Sequence, residues 1–221
     1  MLEGPTIAFA EPVDSAAPRR AVEALARFDW IVFSSATGVE FFVERLRQAG
    51  MRGLSSGVRI ASVGSATASR LEQAGIPCEI IAAQNHAEGL AESLSAELRS
   101  GERVLWVRPE VARPTLADKL VELGAEVEGV AFYRTIEAPE AADVAQTLRR
   151  DGFDVVVFTS PSTFQRLLEA DPKGCEASLA ALGRSAIVAI GPVTASALER
   201  QGLSPAAVAE TARECVFRHD A

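Results

Sequence analysis

The chain has 221 residues, enough for one large domain or two small ones that each bury a core. Hydrophobic residues make up 48% and the formal net charge is −8, so the basic footprint that nucleic acid needs is lacking and no apolar run reaches the length of a membrane span. The N-terminus shows no basic region followed by an apolar core, and three cysteines (Cys78, Cys175, Cys215), odd in number and far apart, signal neither a disulfide framework nor a zinc site, which makes the cytoplasm the expected compartment.

Short apolar runs alternate with amphipathic stretches. In chain order, "WIVFSS" (30–35), "RIASVG" (59–64), "CEIIAA" (78–83), "RVLWVR" (103–108) and "VEGVAFY" (127–133) read as strands, followed by "DVVVFTS" (154–160), "AIVAIG" (186–191) and "AAVAE" (206–210). Their continuous apolar character predicts burial on both faces, as in parallel sheets. Between them lie predicted helices. "GVEFFVERLRQAG" carries Val39, Phe42, Val43 and Leu46 on one stripe, and "TLADKLVELG" and "TASALERQG" each close on glycine. Strand–helix alternation of this kind predicts α/β architecture with crossover connections.

The chain repeats itself. "VGSATASRLEQAGI" (63–76) returns as "IGPVTASALERQGL" (190–203), with seven identities: Gly64/Gly191, Thr67/Thr194, Ala68/Ala195, Ser69/Ser196, Leu71/Leu198, Glu72/Glu199 and Gly75/Gly202. "FDWIVFSSATGVEFF" (28–42) answers "FDVVVFTSPSTFQRL" (153–167), and "LEG" at 2–4 answers "VEG" at 127–129. Two homologous lobes are therefore expected, each a flavodoxin-like or Rossmann-like parallel sheet. The first should hold five parallel strands in the order 127–103–30–59–78, and the second fewer. The stretch 102–126 has no counterpart ahead of residue 2, so the C-terminal lobe is expected to be incomplete by one strand and one helix, roughly 25 residues, with the natural start further upstream.

Ligands of open parallel sheets bind beyond the carboxyl ends of the strands. Four small, hydroxylated segments stand there: "SSATG" with Ser35 and Thr37, "GSAT" with Gly64 and Thr67, "TSPST" with Ser160 and Ser162, and "GPVT" with Gly191 and Thr194. Each opens a helix, so free N–H groups and the positive dipole end could receive anions; simple capping by Ser and Thr is the alternative. Paired by the repeat, the four point to a polyanionic ligand. No P-loop, no GxGxxG, no catalytically spaced Cys–His pair and no metal-ligand cluster is present. His86, opening "HAEGLAESL", reads as a surface or capping residue rather than a proton shuttle, His219 has no partner nearby in sequence, and Glu110 and Asp118 read as solvated surface.

In this order and spacing, "DWIVFSSATGVEFF", "IASVGSATASRLEQAGI", "AEGLAESL", "VLWVRPEVARPTLADKLVELGAEVEGVAFYRT", "DVVVFTSPST" and "VAIGPVTASALERQG" resemble the uroporphyrinogen-III synthase family from about residue 5 to about residue 210. The resemblance implies two α/β lobes joined by a two-stranded linker, with the substrate between them. The boundaries it implies are a linker strand at 1–11, a first lobe at 12–131, a linker strand at 132–138 and a second lobe at 139–221. The chain departs from the family pattern in lacking the early "TRP"-like motif, in Thr37 where Asn is frequent, and in the tail "CVFRHDA". The implied substrate is the small molecule hydroxymethylbilane, a linear tetrapyrrole with eight carboxylates. The implied reaction removes its terminal hydroxyl, inverts ring D through a spiro intermediate and closes the macrocycle without cofactor or metal. Tyr133 matches the tyrosine that would act as general acid; packing in the linker is its alternative. Ser35, Thr37, Gly64, Thr67, Ser160, Ser162, Gly191 and Thr194 would bind substrate with adjacent N–H groups, and Arg108 could meet a propionate or form a surface ion pair. A monomer without nucleic-acid or membrane partners is expected. A bilobal module that binds tetrapyrrole or another small anion without chemistry, or a truncated remnant, is the other reading.

Overall fold

The computed structural model describes residues 4–209 except Arg52, Ser55, Ser56, Asn85 and Asp171; Cys215, His219 and the tail lie outside the described residues. In chain order the elements are β1 (Ile7–Ala10), α1 (Ala16–Glu23), β2 (Trp30–Phe33), α2 (Ala36–Gln48), β3 (Arg59–Ser62), α3 (Ser65–Gln73), β4 (Ile80–Ile81), α4 (Ala87–Leu94), β5 (Arg103–Pro109), α5 (Thr115–Glu122) and β6 (Glu126–Glu137). Then follow α6 (Ala141–Asp151), β7 (Val155–Phe158), α7 (Pro161–Glu169), α8 (Cys175–Leu182), β8 (Ala186–Ala189), α9 (Pro192–Glu199) and β9 (Ala207–Val208). The chain divides into two compact units, Phe9–Thr135 and the flanking pieces Met1–Ala8 with Ile136–Ala221. The chain passes from one unit to the other within β1 and within β6, which are neighbours in one sheet.

The unit Phe9–Thr135 is built on the order β1-β6-β5-β2-β3-β4. From β6 to β4 every pairing is parallel, in the order that the sequence predicts. Alternation of side chains across each strand explains the unbroken apolar runs. Ile31, Phe33, Leu105 and Val107 face one helical layer with Phe42, Leu46 and Leu71, whereas Trp30, Val32, Val104 and Trp106 face the other, with Leu90, Leu94, Leu116 and Leu120. The second sheet, β7-β8-β9, is also parallel and has three strands among the described residues. Its core joins Phe158, Ile187 and Ala189 to Leu148, Phe164, Leu182 and Leu198.

The repeated Leu and Gly positions have a structural cause. α3 ends with Gly75 N–H on the Glu72 carbonyl and Ile76 N–H on the Leu71 carbonyl, and α9 ends with Gly202 on Glu199 and Leu203 on Leu198. Both glycines take positive φ, 74° and 76°. This is the Schellman closure, in which the residue after glycine packs back on the helix; here those pairs are Ile76 with Leu71 and Leu203 with Leu198.

Three expectations need correction. Strand pairing expected at 78–83 contracts to Ile80–Ile81, and of the run expected at 206–210, whose last residue lies outside the described residues, Ala207–Val208 pair; both are sheet edges with a partner on one side only among the described residues. Burial on both faces also fails elsewhere: Val155 at the start of the edge strand β7 is 48% exposed, and Glu126, Glu128 and Gly129 at the start of β6 are exposed. Finally, the strand expected at 127–133 and the linker strand expected from 132 are one element, since the twelve residues of β6 run without a break.

Candidate active site

Tyr133, in β6 and level with the carboxyl end of β5, meets Ser35, just past the carboxyl end of β2. Their hydroxyl oxygens are 2.9 Å apart, and Ser35 Oγ also accepts the Gly38 N–H at 3.0 Å as the N-cap of α2. Tyr133 is only 5% exposed. Phe41 stacks on its ring at 5.6 Å and Phe9 meets it edge-on at 5.6 Å. Burial pushes the phenol upward from its ordinary value of 10, and the Ser35 hydrogen bond pulls it down by less. The phenol is therefore protonated at neutral pH and can give a proton. Phe9, Phe41 and Gly38 were not singled out by sequence reasoning. A signal was present for Phe41: it lies beside the apolar stripe of α2 rather than on it, which leaves a large aromatic side chain free for another partner.

The four helix starts differ in kind. Ser35 caps α2, and Ser160 caps α7 by accepting the Thr163 N–H at 3.2 Å. Ser160 Oγ is also 2.8 Å from Ser162 Oγ, so both hydroxyls are engaged. The N-caps of α3 and α9 are Gly64 and Gly191, and no side chain caps either helix. A helix leaves its first N–H groups without intrahelical acceptors. In α3 these belong to Ser65, Ala66 and Thr67; in α9, where Pro192 has none, to Val193 and Thr194. Thr67 and Thr194 sit in the same turns and are 4% and 2% exposed, two of the few buried polar residues. Neither hydroxyl has a hydrogen-bond partner among the described residues, and neither oxygen is fully enclosed, so each stays open to solvent or to a ligand. Thr37, in the first turn of α2, is half-buried.

Two other residues have local roles. Arg108 lies at a register shift between β5 and β6, and its Nη1 donates to the Pro109 and Glu110 carbonyls at 2.9 and 2.8 Å. Of the two roles open to Arg108, a propionate contact or a surface ion pair, the second is replaced here by this carbonyl clasp at the shifted strand end. His86 is the N-cap of α4: Nδ1 accepts the Gly89 N–H at 3.1 Å and Nε2 is 2.7 Å from Gln84 Oε1, as the capping reading has it. Cys78 is half-buried 3.3 Å from Ser62 Oγ, and burial raises its thiol, so it reads as a packing residue.

Among the described residues no helix is long and apolar enough to cross a membrane. Among curated proteins, the chain is 30% identical to a uroporphyrinogen-III synthase of Synechococcus elongatus over 200 residues, covering 88% of this chain and 74% of that protein. It is 29% identical to that of Chlorobaculum parvum over 185 residues, 81% and 72% of the two. A solved mutant uroporphyrinogen III synthase from Thermus thermophilus superposes with a TM-score of 0.62 at 28% identity, covering 95% of this chain and 83% of that one. The Helicobacter pylori uroporphyrinogen-III synthetase shares the fold, with a TM-score of 0.67 at 17% identity over 94% and 85%. The family described as uroporphyrinogen-III synthase HemD matches residues 1–214, and with the parallel sheets, the paired helix starts and the buried Tyr133 already in place, the chain belongs to the uroporphyrinogen-III synthase family.

Proposed function

We propose that this chain is a uroporphyrinogen-III synthase, a lyase that cyclises hydroxymethylbilane to uroporphyrinogen III in haem biosynthesis. The observation that carries this reading is the buried tyrosine hydroxyl held at a helix start, at the strand ends where ligands of parallel sheets bind. Tyr133 gives its proton to the terminal hydroxyl of the substrate as the carbon–oxygen bond breaks, so that water leaves and an electrophilic methylene remains on ring A. Attack on that carbon by the substituted position of ring D gives the spiro intermediate. Its reopening and reclosure invert the ring, and loss of the ring proton, which restores the Tyr133 phenol, completes the macrocycle. Positioning supplies much of the rate, because the activated bilane is itself reactive.

The carboxylates are held chiefly by backbone N–H groups. Thr67 with the uncapped turn that follows Gly64, and Thr194 with the one that follows Gly191, form the stronger receptors; the Ser160–Ser162 pair and Thr37 add to them. Arg108 contributes only donors that its two carbonyls leave over. Substrate binding by N–H groups suits a chain of net charge −8, since it needs no basic patch.

The test is to incubate the protein with hydroxymethylbilane and separate the product isomers. Uroporphyrinogen III is expected in excess over the isomer formed by closure without inversion. The unrearranged isomer alone, formed no faster than in buffer, would leave only a binding role.

A further inference from the structure

Ser35 is doubly engaged. A serine hydroxyl has one proton to donate and two lone pairs to accept with. One lone pair receives the Gly38 N–H at 3.0 Å, and the Tyr133 oxygen stands 2.9 Å away. Two arrangements satisfy that contact. If Tyr133 donates to Ser35, its only proton is committed and must leave an existing bond before it reaches any leaving group. If Ser35 donates to Tyr133, the phenolic proton is left for the ligand. The N-terminus of α2 favours the second: an N–H at the positive end of the helix draws charge from Oγ and makes its O–H the better donor.

The surroundings fix this pair. Gly38 is buried, and a Cβ on it would stand 3.2 Å from Ser35 Oγ and 3.7 Å from Tyr133 Cε1, closer to the serine oxygen than such atoms ordinarily come. Phe9 and Phe41 hold the phenol ring on two sides, so the ring cannot swing away from Ser35 without losing both contacts.

From this geometry we infer that Ser35 is a positioning residue rather than a substrate ligand: held by the Gly38 N–H, it donates to the Tyr133 oxygen, turns the phenolic proton outward and keeps a hydrogen bond on the phenolate left after proton transfer. This role rests on the reading of Tyr133 as general acid.

Tyr133 is the chain's one tyrosine, so ultraviolet titration of the whole protein reports it alone, with circular dichroism at each pH restricting the reading to folded chain. Ser35→Gly removes the hydroxyl at little cost to the helix, since glycine is tolerated as an N-cap, and Ser35→Thr restores it. The expected results are an upward titration shift in Ser35→Gly that Ser35→Thr reverses, and a turnover loss of about two- to tenfold, the worth of one hydrogen bond, with product binding little changed. In a Tyr133→Phe background, Ser35→Gly should cost nothing more. An unmoved titration in Ser35→Gly, or an equal further loss on top of Tyr133→Phe, would overturn the assignment of Ser35 while the acid reading stands. Full turnover by Tyr133→Phe alone would overturn the acid reading and this role with it.

Discussion

Burial and the Ser35 hydrogen bond act on the Tyr133 phenol in opposite directions, and burial dominates. An unfolded tyrosine ionises near its ordinary value of 10, whereas the folded one holds its proton to higher pH. Between the two the folded state binds more protons, so stability falls as pH rises through that window and is unaffected below it. Tyr133→Phe should therefore flatten the alkaline fall in urea-unfolding stability above pH 10; an unchanged slope would show that other groups cause it. Two glycines make a second comparison. Gly64 takes φ 82° with ψ 159°, a region open essentially to glycine alone that costs an L side chain about 1–3 kcal/mol, whereas Gly191 is extended at φ −179° and has open space where a Cβ would stand. Gly64→Ala should lower stability by about that amount and Gly191→Ala by much less, as thermal unfolding would show. Residue types were legible in part: Thr67 and Thr194 stand out by the repeat, whereas Tyr133 was marked only by the family resemblance. The Ser35–Tyr133 bond was not, because 98 residues separate the partners and only the parallel alignment of β2, β5 and β6 brings them together.

At the scale of the element, the repeat separates capping from binding. Leu71/Leu198 and Gly75/Gly202 serve the helix ends, and Ala68/Ala195 pack in the two cores. The sequence suggests that the Ala68 and Ala195 N–H groups could face a ligand. They do not, since each already bonds within its helix, Ala68 to the Gly64 carbonyl at 3.2 Å and Ala195 to the Gly191 carbonyl at 3.0 Å. The donors lie one to three residues earlier. Proline at Ser65 would copy Pro192, which opens α9, and should leave the fold intact. Ala68→Pro breaks an intrahelical bond and should cost about 3 kcal/mol or more. With folding intact, Thr67→Ala and Thr194→Ala should each weaken uroporphyrinogen III binding by about 1 kcal/mol, read by product fluorescence. Loss of binding on Arg108→Ala, with no effect of either threonine, would put the carboxylates on side-chain charge instead. The strands from β2 onward were legible because hydrophobic runs mark them, whereas β1, which joins the same sheet, was marked only by the family resemblance. Their lengths at the sheet edges were not, since pairing there depends on which neighbour is present, which no local pattern encodes.

Across the whole molecule, the sheets differ in depth. β2 lies between β5 and β3 with all four residues buried, whereas β7 pairs with β8 alone among the described residues and exposes Val155. Amide exchange should therefore be slowest in β2 and β5 and faster in β7 and β9, where local opening exposes less buried surface. Equal protection of the two sheets would contradict that ranking. The two-unit division was legible from the internal repeat, which no single motif could have supplied. The continuity of β6 was less so, because one strand serves both units and its composition does not change at the crossing. The central claim is that a buried, serine-held tyrosine supplies the proton while backbone groups hold the substrate. Its most direct test is turnover of hydroxymethylbilane by Tyr133→Phe, with affinity for uroporphyrinogen III measured on the same preparation. Loss of a general acid predicts a fall of about 10²–10⁴-fold in kcat with product binding nearly intact. A fall below about threefold, well short of what general acids contribute, would contradict the claim and leave Tyr133 as a packing residue.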